Sequence, residues 1–160
     1  LSWKARQYEM TTRFIELAGE VNVSMPRFVV NKLMDALNER SKALKGAKVL
    51  VLGLAYKKDI DDVRESPSLE LIKLLKEKGA KVDYNDPHVP QTHKMREYDL
   101  KMTSKKLSAA MLAGYDAVLI STDHSSYDYQ FIADNAKLVL DTRNAAAGVK
   151  GSAKKKIVKA

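Results

Sequence analysis

Residues 48–67 of the chain, KVLVLGLAYKKDIDDVRESP, contain the transition from a strand to a helix. The apolar run 49–52 predicts a buried strand, Gly53 ends it, and the Ser-Pro pair at 66–67 is typical of a helix start. The loop between them contains three cations, Lys57, Lys58 and Arg64. In an open α/β sheet, ligands bind where the carboxyl end of a strand leads into such a turn. The stretch therefore predicts a site for a phosphorylated ligand.

Strands and helices alternate through the rest of the chain. The hydrophobic periodicity predicts further elements over 67–78, 80–84, 104–112, 117–121, 129–133 and 138–140. Short strands separated by helices are typical of α/β proteins. We therefore expect an α/β fold, a Rossmann-like parallel sheet with helices on both faces, preceded by a long N-terminal helical arm.

The arm covers residues 1–45 and reads as two amphipathic helices. Apolar residues at helical spacing share one face of the first helix: Trp3, Met10, Phe14, Leu17 and Val21. Ser24 before Met25-Pro26 predicts the start of the second helix. These helices precede the first strand, so they either fold back on the domain or pair with a second copy of the chain.

Composition and charge exclude several classes of site. The 160 residues contain no cysteine, so the chain has no disulfide, zinc-thiolate site or cysteine nucleophile. The start LSWKARQYEM does not resemble a signal peptide, and we expect a cytoplasmic protein without a membrane span. The net charge is +8, and residues 150–160 contain five lysines and no acid. We expect residues 146–160 to form a disordered, solvated tail, with contact to nucleic acid or membrane phosphate as the alternative.

Two further βα loops contain candidate residues on the same edge of the predicted sheet. Arg143 follows the strand at 138–140 and can face the Lys57 loop, unless it only pairs with Asp141. His124 lies beside Asp123, where a hydrogen-bonded polar role is more frequent than catalysis. The spacing of the three histidines shows no metal-ligand pattern. For Arg64, the alternative is a salt bridge to Asp61, Asp62 or Glu65, and for the two lysines it is simple exposure.

The turn at Gly53 is a poor dinucleotide fingerprint. The second and third glycines of G-x-G-x-x-G are absent, and the side chains of Ala55 and Tyr56 stand where a pyrophosphate would approach. Asp86 follows the strand at 80–84, where a ribose-binding acid is found in dinucleotide-binding folds. Because Pro87 comes next, a role in fixing a turn is the preferred interpretation.

A set of motifs in order carries a family resemblance. GLAYKKDIDDVRESPSLELIKLLKEKGAKVDYNDPHVP, KMREY, YDAVLISTDH and LVLDTRN resemble the C-terminal third of nucleotide-sugar 6-dehydrogenases, with the branch that acts on UDP-N-acetylglucosamine as the nearest match. The resemblance implies an enzyme that oxidises the sugar C6 alcohol to a carboxylate in two hydride transfers to NAD⁺, using a cysteine. It also implies that this chain is cut just after the loop containing that cysteine, and that it is inactive alone.

The same resemblance assigns roles to individual residues. It implies that Tyr56, Lys57 and Arg143 bind the UDP-sugar substrate, that Arg64 reaches NAD bound on a separate domain, and that the chain has no catalytic residue. Residues 1–45 become a dimerisation arm and residues 46–145 a UDP-sugar-binding domain. The alternative is a stand-alone nucleotide-binding module, or an α/β module for nucleic acid, although nucleic acid is the less favoured partner.

Overall fold

The computed structural model describes residues 2–95 and 97–160, and the sheet is its centre. Five strands follow one another as β1 (Lys48–Leu52), β2 (Lys81–Asn85), β3 (Ala117–Ile120), β4 (Val139–Asp141) and β5 (Ile157–Lys159). Their order across the sheet is β2-β1-β3-β4-β5, and every pairing is parallel. The predicted parallel α/β sheet is confirmed.

Helices cover both faces of this sheet. In chain order the helices are α1 (Ser2–Arg6), α2 (Arg13–Asn38), α3 (Pro67–Glu77), α4 (Ala109–Gly114), α5 (Tyr129–Asn135) and a 3₁₀ helix (Gly151–Lys156). Of these, α1 buries no residue and does not cover the sheet. Val49 and Val51 face the cluster that includes residues of α2 and α3, whereas Leu50 and Leu52 face the one that includes α4 and α5. This alternation explains why the strand at 49–52 is apolar at every position: a parallel sheet is buried on both sides.

The long N-terminal helix is present, but its boundaries differ from the prediction. The expected second start at Ser24 is wrong, because α2 continues through Pro26. The Ser24 hydroxyl donates to the carbonyl of Val21 at 2.7 Å instead of capping a new helix. The C-terminal half of α2 buries Val29, Val30, Leu33, Ala36 and Leu37. This packing stabilises a continuous helix despite the hydrogen bond that proline removes.

The first half of the arm makes no comparable contact with the sheet. Phe14 is 89% exposed, Val23 78% and Trp3 73%. Among the described residues, the apolar face predicted from Trp3 to Val21 is therefore not folded back onto the domain. Leu1 lies outside the described residues, as does Arg96 of the KMREY motif.

The expectation of a disordered tail at 146–160 is wrong. The chain there forms the 3₁₀ helix and β5, which pairs with β4 through Val139, Leu140 and Asp141. Ala153 is buried, and the Lys156 ammonium donates to the carbonyls of Ala133 and Asp134 at the end of α5. The prediction gave weight to the lysines and overlooked the small and β-branched residues between them, which supply the packing.

The connection between β2 and β3 is mostly irregular, as expected for 88–103, and Gln91 and Thr103 form an antiparallel bridge within it. Its helix is shorter than predicted because Ser108, not Ser104, is the N-cap and accepts from the Met111 N–H. Ser104 instead exchanges two hydrogen bonds with the backbone of Asp86. None of the described helices is both long and apolar enough to cross a bilayer.

Candidate functional site

The strand order identifies a topological switch point at the carboxyl edge of the sheet. From β1 the chain crosses to β2 on one side, and it later returns to β3 on the other side. The connections that start with the loops after β1 and β3 therefore lead to opposite edges of the sheet, and open α/β sheets of this order bind ligands at such a switch point. Tyr56 and Lys57 lie on the first of these loops, and Arg143 follows β4, the next strand along.

Gly53 lets the two loops approach each other. Its φ of +83° is left-handed, and a Cβ there would lie 2.5 Å from the Cβ and the carbonyl oxygen of Thr122. The Thr122 hydroxyl donates to the carbonyl of Ala55 at 2.7 Å, across the same contact. The glycine therefore permits contact between protein segments, and only glycine fits both its space and its backbone angle.

A carboxylate of the protein occupies the turn after Gly53. The N–H groups of Leu54 and Ala55 donate to Oδ2 of Asp86 at 2.6 and 2.9 Å. Oδ1 accepts from the N–H groups of His88 and Val89 at 2.8 and 3.1 Å. Asp86 is only 2% exposed, so it fixes turns, as preferred from the sequence, and has no free edge for a ribose.

The cationic segment 56–58 stands exposed between anchored residues. Tyr56 is 47% exposed, and the Lys57 ammonium lies 5.5 Å from the centroid of its ring. The Tyr56 N–H donates to the carbonyl of Asp62 at 2.7 Å, which closes the loop. The main chain is thus held while the side chains of Tyr56, Lys57 and Lys58 face solvent, as ligand-binding side chains require.

Arg143 is oriented by two aspartates. Its N–H donates to Oδ1 of Asp141 at 2.9 Å, and its Nε donates to Oδ1 of Asp123 at 3.1 Å. The alternative of a side-chain pair with Asp141 is wrong, because that carboxylate accepts from backbone N–H groups, those of Ala145 and Ala146 included. The Asp123 bond uses Nε, so the two Nη nitrogens can still bind an anion.

Arg64 forms the ion pair that was the alternative to a ligand-binding role. Its Nε and Nη2 donate to Oδ1 and Oδ2 of Asp62 at 3.0 and 2.8 Å. These hydrogen bonds lower the pKa of Asp62 to about 2 and raise the pKa of Arg64. The Arg64 side chain is 82% exposed, so it lies on the surface of its own loop, paired with Asp62.

His124 is fully buried and hydrogen-bonded, which agrees with the polar role preferred from the sequence. Ligand atoms of Asp59, His88 and His124 lie within 4.8 Å of one another, a grouping that sequence spacing did not reveal. However, Nδ1 of His124 accepts from the Asp59 N–H at 2.9 Å, and Nε2 contacts Asp86 at 3.0 Å. Both ring nitrogens are engaged, so this cluster is a hydrogen-bond network and not a ready metal site.

A groove lies elsewhere, between α2 and the start of α3. It has a volume of about 510 Å³, and Glu65, Glu70 and Glu97 line it together with Arg27 and Tyr98. Three carboxylates do not suit a phosphorylated ligand. The carboxyl edge of the sheet, with its exposed cations, is therefore the better candidate for an anion site.

Comparison with known proteins identifies the family to which this chain is similar. A family model described as the UDP binding domain of the UDP-glucose/GDP-mannose dehydrogenase family matches residues 50–148. The chain is 31% identical over 150 residues to UDP-N-acetyl-D-mannosamine dehydrogenase of Methanococcus maripaludis, covering 89% of this chain and 33% of the relative. It is 36% identical over 143 residues to UDP-glucose 6-dehydrogenase of Haloferax volcanii, covering 88% and 31%.

Another relative is UDP-N-acetyl-D-glucosamine 6-dehydrogenase of Pseudomonas aeruginosa, 28% identical over 79% of this chain and 29% of the relative. Among solved structures, the UDP-D-ManNAc dehydrogenase of Pyrococcus horikoshii superposes with a TM-score of 0.71 at 26% identity, covering 97% of this chain and 35% of that one. The chain thus spans about a third of the length of the relatives it matches.

Proposed function

The chain belongs to the UDP-glucose/GDP-mannose dehydrogenase family, and from that premise we propose that its carboxyl edge binds the UDP part of a UDP-sugar. The observation that carries the proposal is the placement of Lys57 and Arg143 on loops at the switch-point edge. Strands β1 and β4 are two strand spacings apart, roughly 10 Å. A diphosphate lying across that edge can therefore meet a cation at each end.

We assign complementary roles to the proposed binding residues. Lys57, supported by the ring of Tyr56, supplies a point charge. Arg143, held at Nε by Asp123, presents a planar group that can bind two phosphate oxygens. The backbone of the β1 turn cannot replace these cations, because Asp86 already accepts from its N–H groups.

We propose further that the chain supplies the UDP-binding part of an NAD-dependent UDP-sugar 6-dehydrogenase. NAD⁺ would accept hydride from the sugar C6 alcohol. It does not fit the β1 turn of this chain, which Asp86 fills, so its binding requires another domain, with Arg64 as the contact from this one. For the sugar we propose N-acetylglucosamine, although the names of the relatives include mannosamine and glucose derivatives.

Because the chain has no cysteine, we expect it to produce no NADH from UDP-N-acetylglucosamine and NAD⁺. A cytoplasmic location remains a prediction from the sequence.

We also propose that the N-terminal arm forms a homodimer. The exposed side chains of Trp3, Phe14, Leu17 and Val21 form an apolar surface that the chain's own sheet leaves uncovered. A two-fold pairing of α1 and α2 with the same elements of a second copy would bury it.

Calorimetric titration of the chain with UDP tests the binding site. We expect measurable binding that Lys57→Ala weakens by about 1–3 kcal/mol, the range for a hydrogen bond to a charged group. Lys81→Ala, at the opposite end of the sheet, is the matched control and should bind as the wild type does. Equal affinity of wild type and Lys57→Ala would show that UDP does not bind through this loop.

The salt dependence of binding distinguishes nucleic acid, the alternative ligand, from UDP. The lysines of the 3₁₀ helix keep this alternative open, since Lys154 and Lys155 are exposed. Binding of a single-stranded oligonucleotide to such lysines should fall steeply between low and moderate salt. Oligonucleotide binding tighter than that of UDP at both salt concentrations would favour the nucleic-acid function.

A further inference from the structure

His124 connects three loops at the carboxyl edge through the two nitrogens of one buried ring. Nδ1 faces the backbone N–H of Asp59 at 2.9 Å, so it must be the acceptor. The proton of the ring therefore lies on Nε2, which donates to Oδ2 of Asp86 at 3.0 Å. The loop after β3 is in this way joined to the loop after β1 and to the loop after β2.

The hydrogen bond from the Asp59 N–H to His124 is part of a clamp, which consists of the contacts of Asp59 with His124 and Ser125. The Asp59 carboxylate accepts from the N–H of Ser125 at 2.8 Å and from the Ser125 hydroxyl at 2.6 Å. These hydrogen bonds lower the pKa of Asp59. Asp59 has a φ of +60°, a left-handed angle that aspartate tolerates better than most residues. Both the main chain and the side chain of Asp59 are thus fastened to the β3 loop.

The clamp and the Asp86 carboxylate fix the chain on either side of the exposed segment 56–58. Asp86 holds the N–H groups of Leu54 and Ala55, and the clamp holds Asp59, so residues 56–58 are the short span between two fixed points. His124 contacts both points, and the ring of Tyr127 packs against it edge-on at 5.7 Å. The imidazole has no exposed surface, so its effect on a ligand must pass through the loop.

We propose that His124 is a positioning residue, which holds the segment 56–58 in the conformation that binds the diphosphate of the nucleotide. The inference relies on the proposed UDP site for its functional consequence. A loop fixed before binding loses less conformational entropy when the ligand arrives, and the clamp would therefore increase affinity without touching UDP. Asn and Leu have the same shape, but only Asn can accept a hydrogen bond from the Asp59 N–H at the Nδ1 position.

The test compares His124→Asn with His124→Leu in two measurements. Hydrogen exchange of the Asp59 amide, followed by nuclear magnetic resonance without ligand, should be about tenfold faster or more in His124→Leu and close to wild type in His124→Asn. Calorimetry should show UDP binding about tenfold weaker in His124→Leu, with His124→Asn recovering most of the loss. Tyr115→Phe loses a hydrogen bond to Asp83 before β3, and as the control it should alter neither readout.

If His124→Leu does not fold, Ser125→Ala weakens the same clamp from its exposed side and should accelerate exchange of the Asp59 amide while leaving the fold intact. An unchanged exchange rate in His124→Leu, or in Ser125→Ala where His124→Leu does not fold, would overturn the positioning role. Faster exchange with unchanged UDP affinity would overturn its connection to the ligand. Wild-type protein that binds no UDP would instead overturn the proposed function, and the exchange rates would still decide whether His124 holds the loop.

Discussion

In dinucleotide-binding folds, the turn after the first strand binds a phosphate of the ligand. In this chain, the carboxylate of Asp86 occupies that position. Two backbone N–H groups of the β1 turn donate to it at 2.6 and 2.9 Å. An anionic ligand at this edge must therefore be bound by side chains, since the usual backbone donors are engaged. The proposed site would therefore depend on Lys57 and Arg143 rather than on a glycine-rich loop.

The shape of the Arg143 guanidinium matters as well as its charge. We expect Arg143→Lys to weaken UDP binding by about 1–2 kcal/mol, because an ammonium cannot make two parallel hydrogen bonds or keep the Nε contact with Asp123. Arg64→Ala should leave UDP affinity nearly unchanged, since Arg64 is paired with Asp62. Calorimetry on both variants checks this, and a loss with Arg64→Ala as large as with Arg143→Lys would contradict the division of roles.

Tyr84 should make stability depend on alkaline pH. It is fully buried and donates to the carbonyl of Val89, and burial raises its pKa from 10.0 to about 12. The folded state then binds the phenolic proton more tightly than the unfolded state does. Its stabilising contribution is complete below pH 10 and is lost as the pH rises through about 12. The free energy of unfolding, measured with urea across this pH range, should fall less steeply for Tyr84→Phe than for the wild type. Equal pH dependence of the two proteins would refute the assignment to Tyr84.

At the scale of elements, α2 has two functionally different halves. Its C-terminal half contributes to the hydrophobic core, whereas its N-terminal half carries exposed apolar side chains. A single continuous helix thus connects the nucleotide-binding domain to the proposed dimer surface. Pro26 lies where one half gives way to the other.

Substitutions in the C-terminal half test its anchoring. Leu33 has no exposed surface, so Leu33→Ala should lower the free energy of unfolding by about 2–5 kcal/mol through lost contacts and the cavity left behind. Its neighbour Lys32 is exposed, and Lys32→Ala should change the free energy of unfolding by no more than about 0.5 kcal/mol. Urea denaturation measures both values, and a small effect at Leu33 would mean that α2 does not pack as described.

The whole molecule is a domain with an uncovered apolar arm. We expect a dimer in solution, and Phe14→Asp should convert it to a monomer, because a charge buried against a second copy has no partner. Sedimentation equilibrium at tens of micromolar, roughly where a useful interface is occupied, measures the effect. Wild type that is only monomeric, or Phe14→Asp that stays dimeric, would contradict the proposed arm.

Much of the fold follows from local pattern. The apolar run 49–52 predicted β1, Ser66-Pro67 predicted the start of α3, and the alternation of short strands and helices predicted a parallel sheet. These signals are readable because burial and capping act over a few neighbouring residues. The candidate cations could also be found, since residues that follow parallel strands reach the same edge.

Tertiary structure decided the features that depend on residues far apart in the chain. Asp86 meets the β1 turn across 32 positions and His124 meets Asp59 across 65, and no local spacing indicates either contact. The ordered fifth strand and the unbroken α2 likewise follow from the surfaces against which they pack. By itself, the sequence determined the strands β1 to β4, the start of α3 and where charge is available. Only the strand order decided which charged side chains remain free for a ligand. It determines which loops meet and therefore which polar groups form hydrogen bonds with one another.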